Sequence, residues 1–281
     1  MARGSTGFTL VEVMLSVVTT ALVSGAVYGL LVTTQRLTRL QTERTTLQSN
    51  VRTGSLVVLE ELGELSTVEG GREDQNDIVA LGSSSITYRA MRGLGFICEA
   101  SSATTLRLAR SSFSGHRDPQ PGRDQAYVFV PGNPDAGVRD SWRTATILSA
   151  ATSAACPGSL GAGITLTLSG GASAEIPEPG TPVRIAELME LRLYQSEGQS
   201  WLGARSVSAG EAIQPLLGPL ASDGFRLEYL DASGIATADR SRIKSIRAGL
   251  RGTSGEGGTG PNAPVEEELI TQITLRNSVQ P

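Results

Sequence analysis

Gly7-Phe8-Thr9-Leu10-Val11-Glu12 opens an apolar segment that continues to Val32 and contains one charged residue, Glu12. At ~1.5 Å per residue, residues 8–32 reach about 37 Å as a helix, which is long enough to cross a membrane. A carboxylate in a bilayer core costs roughly 2.5 to 3.5 kcal/mol on insertion scales. We therefore expect Glu12 to have a partner or a task inside the membrane.

Two plainer interpretations of the N-terminus are an ordinary secretory signal and a simple membrane anchor. In the first, Arg3 is the charged end, Val13 to Val23 the apolar core and Ser24-Gly25-Ala26 the cleavage site. Neither interpretation explains a charge at Glu12. The short, mostly polar leader also lacks the basic cluster that is usual in secretory signals.

The arrangement resembles the class III signal of type IV prepilins and pseudopilins. In that family a peptidase cuts after the glycine, here Gly7, and N-methylates the new first residue, here Phe8. The glutamate four residues beyond the new terminus, here Glu12, meets a neighbouring subunit's amino terminus as the filament assembles. The resemblance implies a leader of residues 1–7 and a filament-core helix over residues 8–32.

An amphipathic helix is predicted to continue over residues 33–69. Its apolar residues recur on one face, and these are Leu37, Leu40, Leu47, Val51, Val58, Leu62 and Leu65. Gly54 and Gly63 weaken this helix, and Gly70-Gly71 is a natural stop. The stretches Leu40 to Glu43 and Leu47 to Arg52 resemble the corresponding helix of PilW-type minor pilins, a resemblance that places this half in the periplasm.

Residues 70–281 are predicted to form one β-rich head of about 210 residues, although one domain with a large insertion is also compatible with this length. The predicted strands are Thr105 to Leu108, Tyr127 to Val130, Ile164 to Leu168, Phe225 to Tyr229 and Ile246 to Leu250, with Gly and Pro turns between them. The predicted fold class is α+β, a long helix followed by a β-rich globular head. Gly224 to Asp231 and Thr274 to Asn277 resemble late strands of PilW-type minor pilins and of the J-type pseudopilin of type II secretion.

Cys98 and Cys156 are the only cysteines, and both lie beyond the apolar segment. The predicted topology places them in an oxidising compartment, which favours a disulfide. The alternative is two buried free thiols too far apart to bond. The formal charge of −4 and the scattered basic residues give no electrostatic footprint for nucleic acid.

The sequence predicts no catalytic residue, no metal site and no cofactor. His116 is the only histidine, so no His cluster for zinc exists. The Gly-rich run from Gly252 to Gly260 lacks the context of a phosphate-binding loop and is interpreted as a flexible linker between strands. Asp231 to Gly234 with Asp239 offers oxygen ligands for calcium, but the spacing is not that of an EF-hand, and a polar turn is favoured.

The resemblance implies a minor pilin of a type IV pilus, a methylated, non-enzymatic subunit that primes pilus assembly near the tip and serves twitching motility and cell adhesion. The implied partners are other minor pilins, the major pilin, prepilin peptidase and a PilY-type tip adhesin. The protein would cross the inner membrane once, with its head in the periplasm, before joining the pilus. The alternatives are a J-type pseudopilin and an anchored binding or enzymatic module.

Overall fold

The computed structural model describes most of the 281-residue chain. The described residues are 9–68, 76–133, 135, 137–138, 140–158, 161–170, 176–254 and 264–276. One long N-terminal helix is followed by a strand-rich domain whose strands pair antiparallel, which confirms the α+β layout.

Helix α1 runs from Leu10 to Gly63 without interruption. It contains no proline, and Thr9 caps its first turn in extended conformation. The helix is long and apolar enough near its N-terminus to cross a membrane, by length and composition.

Twelve strands follow the helix in the described part of the chain. They are β1 (Ile78–Leu81), β2 (Ser85–Ser102), β3 (Thr105–Ala109), β4 (Ser114–Gly115), β5 (Asp124–Val130), β6 (Ser141–Ala155), β7 (Ala162–Leu168), β8 (Pro182–Ser196), β9 (Gln199–Ser206), β10 (Gln214–Leu230), β11 (Ser245–Ser254) and β12 (Val265–Thr274). Short 3₁₀ turns cover Arg110–Ser112 and Arg240–Arg242. All five predicted strand segments lie within strands, namely β3, β5, β7, β10 and β11.

The strands form two connected units. In the first, β2, β3, β7, β6, β5 and β8 pair in that order, and β8 pairs again with β2, which closes a six-stranded barrel. In the second, β1, β2, β8, β9, β10, β11 and β12 follow one another as an open sheet. Strands β2 and β8 are long because they belong to both units.

Each unit has its own apolar core. The barrel core includes Ile97, Leu108, Val128, Ile147 and Leu166, all at most 1% exposed. The sheet core is closed on one side by α1. Alternation along each strand sends one set of side chains inward, as the sequence pattern predicts.

The helix ends earlier than the predicted residue 69, and only part of the predicted amphipathic segment, residues 33–69, packs on the head. Leu37 is 55% exposed, because the described head contributes no covering there, and burial begins at Leu47. The helix ends at Gly63 and not near residue 69, because the Gly63 carbonyl accepts a hydrogen bond from the Arg276 amide at 3.0 Å. The expected stop at 70–71 lies outside the described residues. Leu65 is buried, but in the extended segment that follows the helix.

Candidate functional site

The N-terminal half of α1 is not covered by any other part of the chain that the structure describes. Every residue from Thr9 to Arg39 is exposed, including large apolar side chains such as Leu10 (77%) and Tyr28 (70%). Exposed apolar surface of this extent marks a site of contact with lipid or with other proteins. This half of the helix is therefore built to be covered by something other than its own head.

Glu12 takes part in a capping box at the start of this uncovered half. Its Oε2 accepts hydrogen bonds from the Thr9 amide at 2.9 Å and from the Thr9 hydroxyl at 3.0 Å. The Glu12 amide in turn donates to Thr9 Oγ1 at 3.4 Å. These bonds satisfy free donors of the first turn and fix the side chain. Glu12 Oε1 has no hydrogen bond to any described residue, so it remains open to a donor from outside. The predicted cleavage and methylation residues, Gly7 and Phe8, lie outside the described residues.

Hydroxyl side chains in the apolar half bond to their own helix. Ser16 Oγ donates to the Val13 carbonyl at 2.8 Å, and Thr19 Oγ1 to the Leu15 carbonyl at 2.9 Å. Farther along, Thr33 Oγ1 donates to Gly29 at 2.9 Å. Such bonds satisfy polar groups where no water is present, so these residues are compatible with a membrane.

The second half of α1 packs on the inner face of β10, β11 and β12. Leu47, Val51, Val58 and Leu62 are all at most 5% exposed there. Two glycines make this approach possible, one on each partner. A Cβ at Gly54 would overlap the side chain of Leu217 on β10.

Gly252 of β11 lies beneath the helix, and its lack of a side chain leaves room for helix residues. A Cβ at Gly252 would lie 2.9 Å from Val51 Cγ2 and 3.3 Å from Leu47 Cδ2. Polar bonds flank the contact, with Ser55 and Thr271 hydroxyls 2.7 Å apart and Gln48 donating to Glu267 at 3.1 Å. The helix is thereby held in one axial position on the sheet.

A buried group of ion pairs lies where the barrel meets the open sheet. Glu187 of β8 is 2% exposed and accepts from Arg92 at 2.9 Å, from Arg117 at 3.2 Å and from Arg123 at 2.5 Å. Asp124, fully buried at the start of β5, binds both terminal nitrogens of Arg117 at 2.5 and 2.8 Å. We call these five residues the ionic cluster.

The ionic cluster also reaches the helix. Arg92 lies 3.6 Å from Glu61 of α1, whose carboxylate accepts from the Tyr88 hydroxyl at 3.0 Å. Burial alone would raise the pKa of Glu187, but hydrogen bonds from Ser206 and Arg92, with the positive charges of Arg92 and Arg123, hold that pKa below its usual value. The carboxylate is therefore ionised and shared among its arginines.

Cys98 and Cys156 form a disulfide, with Cα atoms 5.8 Å apart. The bridge joins the barrel part of β2 to the end of β6, two strands that are not neighbours, since β3 and β7 lie between them. Both cysteines are buried next to Ala109. The predicted bridge is thus present, and it fastens one end of the barrel.

Asp231, Asp239 and His116 are the candidates for metal binding or catalysis, and the two aspartates form hydrogen bonds within turns. Asp231 Oδ1 accepts from the Ser233 and Ile235 amides at 2.9 and 3.0 Å, which forms the predicted polar turn. Asp239 caps the 3₁₀ turn that follows through the Ser241 amide at 3.0 Å. His116 is exposed. Among the described residues, no group of three or more His, Cys, Asp or Glu side chains is placed to hold a metal ion.

Sequence reasoning missed the ionic cluster and the role of Gly54. The charged residues of the cluster are scattered from position 92 to position 187, and their only local signal is a carboxylate within an apolar strand, as in Ile185-Ala186-Glu187-Leu188. No family model, no curated protein and no solved structure matches this chain.

Proposed function

We propose that this protein is a minor pilin of a type IV pilus, a structural subunit that primes filament assembly and sits at or near the tip. The observation that carries the proposal is that α1 has two different halves. The N-terminal half is exposed and has a single carboxylate in its apolar segment, and the C-terminal half packs on a β-rich head. That division suits a subunit whose helix first lies in the inner membrane and then among the helices of a filament.

The role proposed for Glu12 follows from its surroundings. One oxygen holds the helix start through Thr9, and the other has no hydrogen bond to a described residue. An unpaired carboxylate in hydrocarbon costs roughly 2.5 to 3.5 kcal/mol, which a neighbouring subunit's Phe8 ammonium would offset after cleavage. Because both groups are fixed to helices, the pair would also set the axial offset between neighbours.

The disulfide supports a periplasmic head. Disulfides persist in oxidising compartments, and the bridge lies beyond the apolar segment. A single inner-membrane crossing with the head in the periplasm accounts for both features. The proposed partners are other minor pilins, the major pilin, prepilin peptidase and a PilY-type adhesin, and the proposed role is structural and not catalytic.

The test is complementation of a deletion strain with Glu12→Ala at native expression. We expect the variant to be inserted and cut after Gly7, but not to co-purify with partner minor pilins or to restore surface filaments. Glu60→Ala is the matched control, because Glu60 is an exposed glutamate on the same helix outside the apolar half. Full piliation with normal partner recovery in Glu12→Ala would overturn the assembly role.

The same strains separate the pilus from the J-type pseudopilin alternative. If the deletion leaves pili intact and abolishes secretion of folded proteins through a secretin, the pilus assignment is wrong and the secretion assignment replaces it. Loss of pili with unimpaired secretion supports the minor pilin.

A further inference from the structure

Strand β12 forms one edge of the open sheet. It pairs with β11 from Val265 to Thr274 without a register shift, and no other described strand pairs with it. The Leu275 amide donates to the Lys244 carbonyl at 3.0 Å, so alternate residues from 265 onward face β11. The backbone groups of Glu268, Ile270 and Gln272 therefore point to the unpaired side.

The opposite edge of the sheet, β1, is protected. It has four residues, its register shifts between Ile78 and Ala80, and the Arg240 guanidinium donates to the Val79 carbonyl. Short length, a bulge and a covering side chain are the usual devices against unwanted strand pairing. Strand β12 is ten residues long and has no bulge or proline, and its charged residues, Glu266, Glu267 and Glu268, are confined to its first half. The second half of β12, from Leu269 to Thr274, therefore has none of these devices, in contrast to β1.

Open grooves lie on both faces of β12. On the outer face lies a groove of about 520 Å³, which is lined by Gly249 of β11 and by Glu268 and Ile270 of β12, among others. On the helix face, a groove of about 530 Å³ lies between α1 and β12 and reaches Glu267 and Leu269. Side chains of a strand added at this edge would project alternately into these two grooves.

The side chains of β12 indicate the chemistry of such a strand. Leu269 and Ile270 are adjacent, point to opposite faces and are 37% and 60% exposed. Three glutamates, 266 to 268, precede them, and the strand has no basic residue. Glu266 pairs with Arg251 at 3.0 Å and Glu267 accepts from Gln48 at 3.1 Å, so Glu268 is the carboxylate best placed to meet a basic residue of an added strand. Cross-strand pairs are favourable between opposite charges and between apolar side chains. A matching strand would carry adjacent basic residues next to adjacent apolar residues.

We infer that β12 is a docking edge for an extended basic segment of another protein, which adds a strand to the sheet. Backbone hydrogen bonds would supply affinity, and the two grooves would select the side chains. A second copy of this chain fits less well, because it would bring three further glutamates and no lysine or arginine on its own β12. The inference concerns the head and does not depend on the assembly role of Glu12.

The test uses the full chain in detergent micelles and a fluorescent synthetic peptide, acetyl-Thr-Val-Thr-Lys-Lys-Ile-Val-Thr-Val-Thr-amide. We expect saturable binding by anisotropy and new amide-exchange protection at Ile270 and Gln272. Glu268→Lys should weaken binding about tenfold, because an attractive pair becomes repulsive. The matched control, Glu178→Lys on an exposed loop, should leave binding unchanged.

Ile270→Pro tests the geometry separately. It removes an outward N–H and leaves the β11 ladder intact, so it should abolish binding while the circular dichroism spectrum is unchanged. If this variant fails to fold, the effect of Glu268→Lys on peptide binding still tests the inference. Equal binding of a peptide with glutamates in place of the lysines, or protection outside β12, would overturn the inference. Concentration-dependent dimerisation of the protein that Glu268→Lys alters would also overturn it, by assigning the edge to a second copy.

Discussion

Leu217 of β10 fills the space beside Gly54 of α1 that any larger residue at position 54 would need. The glycine lowers the helix propensity of α1 by up to ~1 kcal/mol, but it lets the helix and the sheet approach closely. At the contact between α1 and β10, we therefore expect side-chain packing to affect stability more than the helix propensity of residue 54 does.

Gly54→Ala is expected to destabilise the protein by about 1 to 2 kcal/mol, because overpacking costs more than the helix propensity returns. Combination with Leu217→Ala should recover part of the loss, as a double-mutant cycle in denaturant unfolding would show. Gly63→Ala is the control on the same helix. A Cβ there would lie 3.8 Å from Ile273 Cγ2, so that variant should be neutral or slightly stabilising. Equal effects of Gly54→Ala and Gly63→Ala on stability would show that the close contact between Gly54 and Leu217 is not important.

Glu187→Gln is expected to cost about 1 to 3 kcal/mol at neutral pH, because Arg92, Arg117 and Arg123 lose their shared counter-charge. The cost stays moderate because each arginine keeps a second carboxylate, that of Glu61, Asp124 or Glu211. Glu190→Gln, which breaks one ion pair with Arg205, should cost much less and serves as the control. Thermal melting of the three proteins measures the difference. A loss no larger than that of the control would show that the cluster does not hold the two units together.

The same carboxylate predicts an acid dependence. In the folded state the pKa of Glu187 is held below the ordinary glutamate value of about 4.5. Its stabilisation is therefore complete above that value and is lost as pH falls through the lowered pKa. Wild-type stability should decline below about pH 4.5, and the decline should be shallower in Glu187→Gln. Parallel pH curves for the two proteins would contradict this assignment.

Loss of the disulfide should lower the melting temperature markedly. With a sequence separation of 58 between the cysteines, the bridge contributes roughly 4 kcal/mol on the chain-entropy model. For a head of this size, that corresponds to a shift of about 8 to 16 °C in the Cys98→Ser, Cys156→Ser double variant. Membrane insertion should persist, because α1 is unchanged. Two free thiols in the unfolded, unreduced wild type would exclude the bridge.

Processing is tested at Gly7. A side chain at this position should block the peptidase's approach to the Gly7–Phe8 bond, so Gly7→Val should accumulate as an inserted, full-length precursor. Thr6→Val is the matched control and should be cut. Mass spectrometry of the membrane fraction distinguishes the two forms. Intact Met1 on wild-type protein recovered from filaments would contradict cleavage altogether.

Local patterns predicted local structure well. Alternation found β3, β5, β7, β10 and β11, and the apolar stripe found the contacts of Leu47, Val51, Val58 and Leu62. The stripe also included Leu37, which is exposed, because periodicity shows which face is apolar and not how far the partner surface extends.

Long-range pairing was not predictable from such patterns. Closure of the barrel depends on β2 meeting both β3 and β8, which are far apart in sequence. The local sequence predicts only that Gly54 weakens the helix. Its packing role is not predictable, because the side chain that fills the space beside it, Leu217, is far away in sequence. Charged residues of the ionic cluster look like surface residues until the fold buries Asp124 and Glu187.

Strands β2 and β8 have a mechanical consequence. Each contributes to the sheet core, through Tyr88 and Leu191, and continues without a break into the barrel core, through Ile97 and Val183. A pull between the helix-bearing sheet and the barrel is therefore borne by two covalent backbones. Because both strands carry this pull side by side, it does not slide one against the other, and their mutual hydrogen bonds from Ser85 to Phe96 stay in register. The sheet and the barrel are therefore expected to separate only if β2 and β8 themselves unfold.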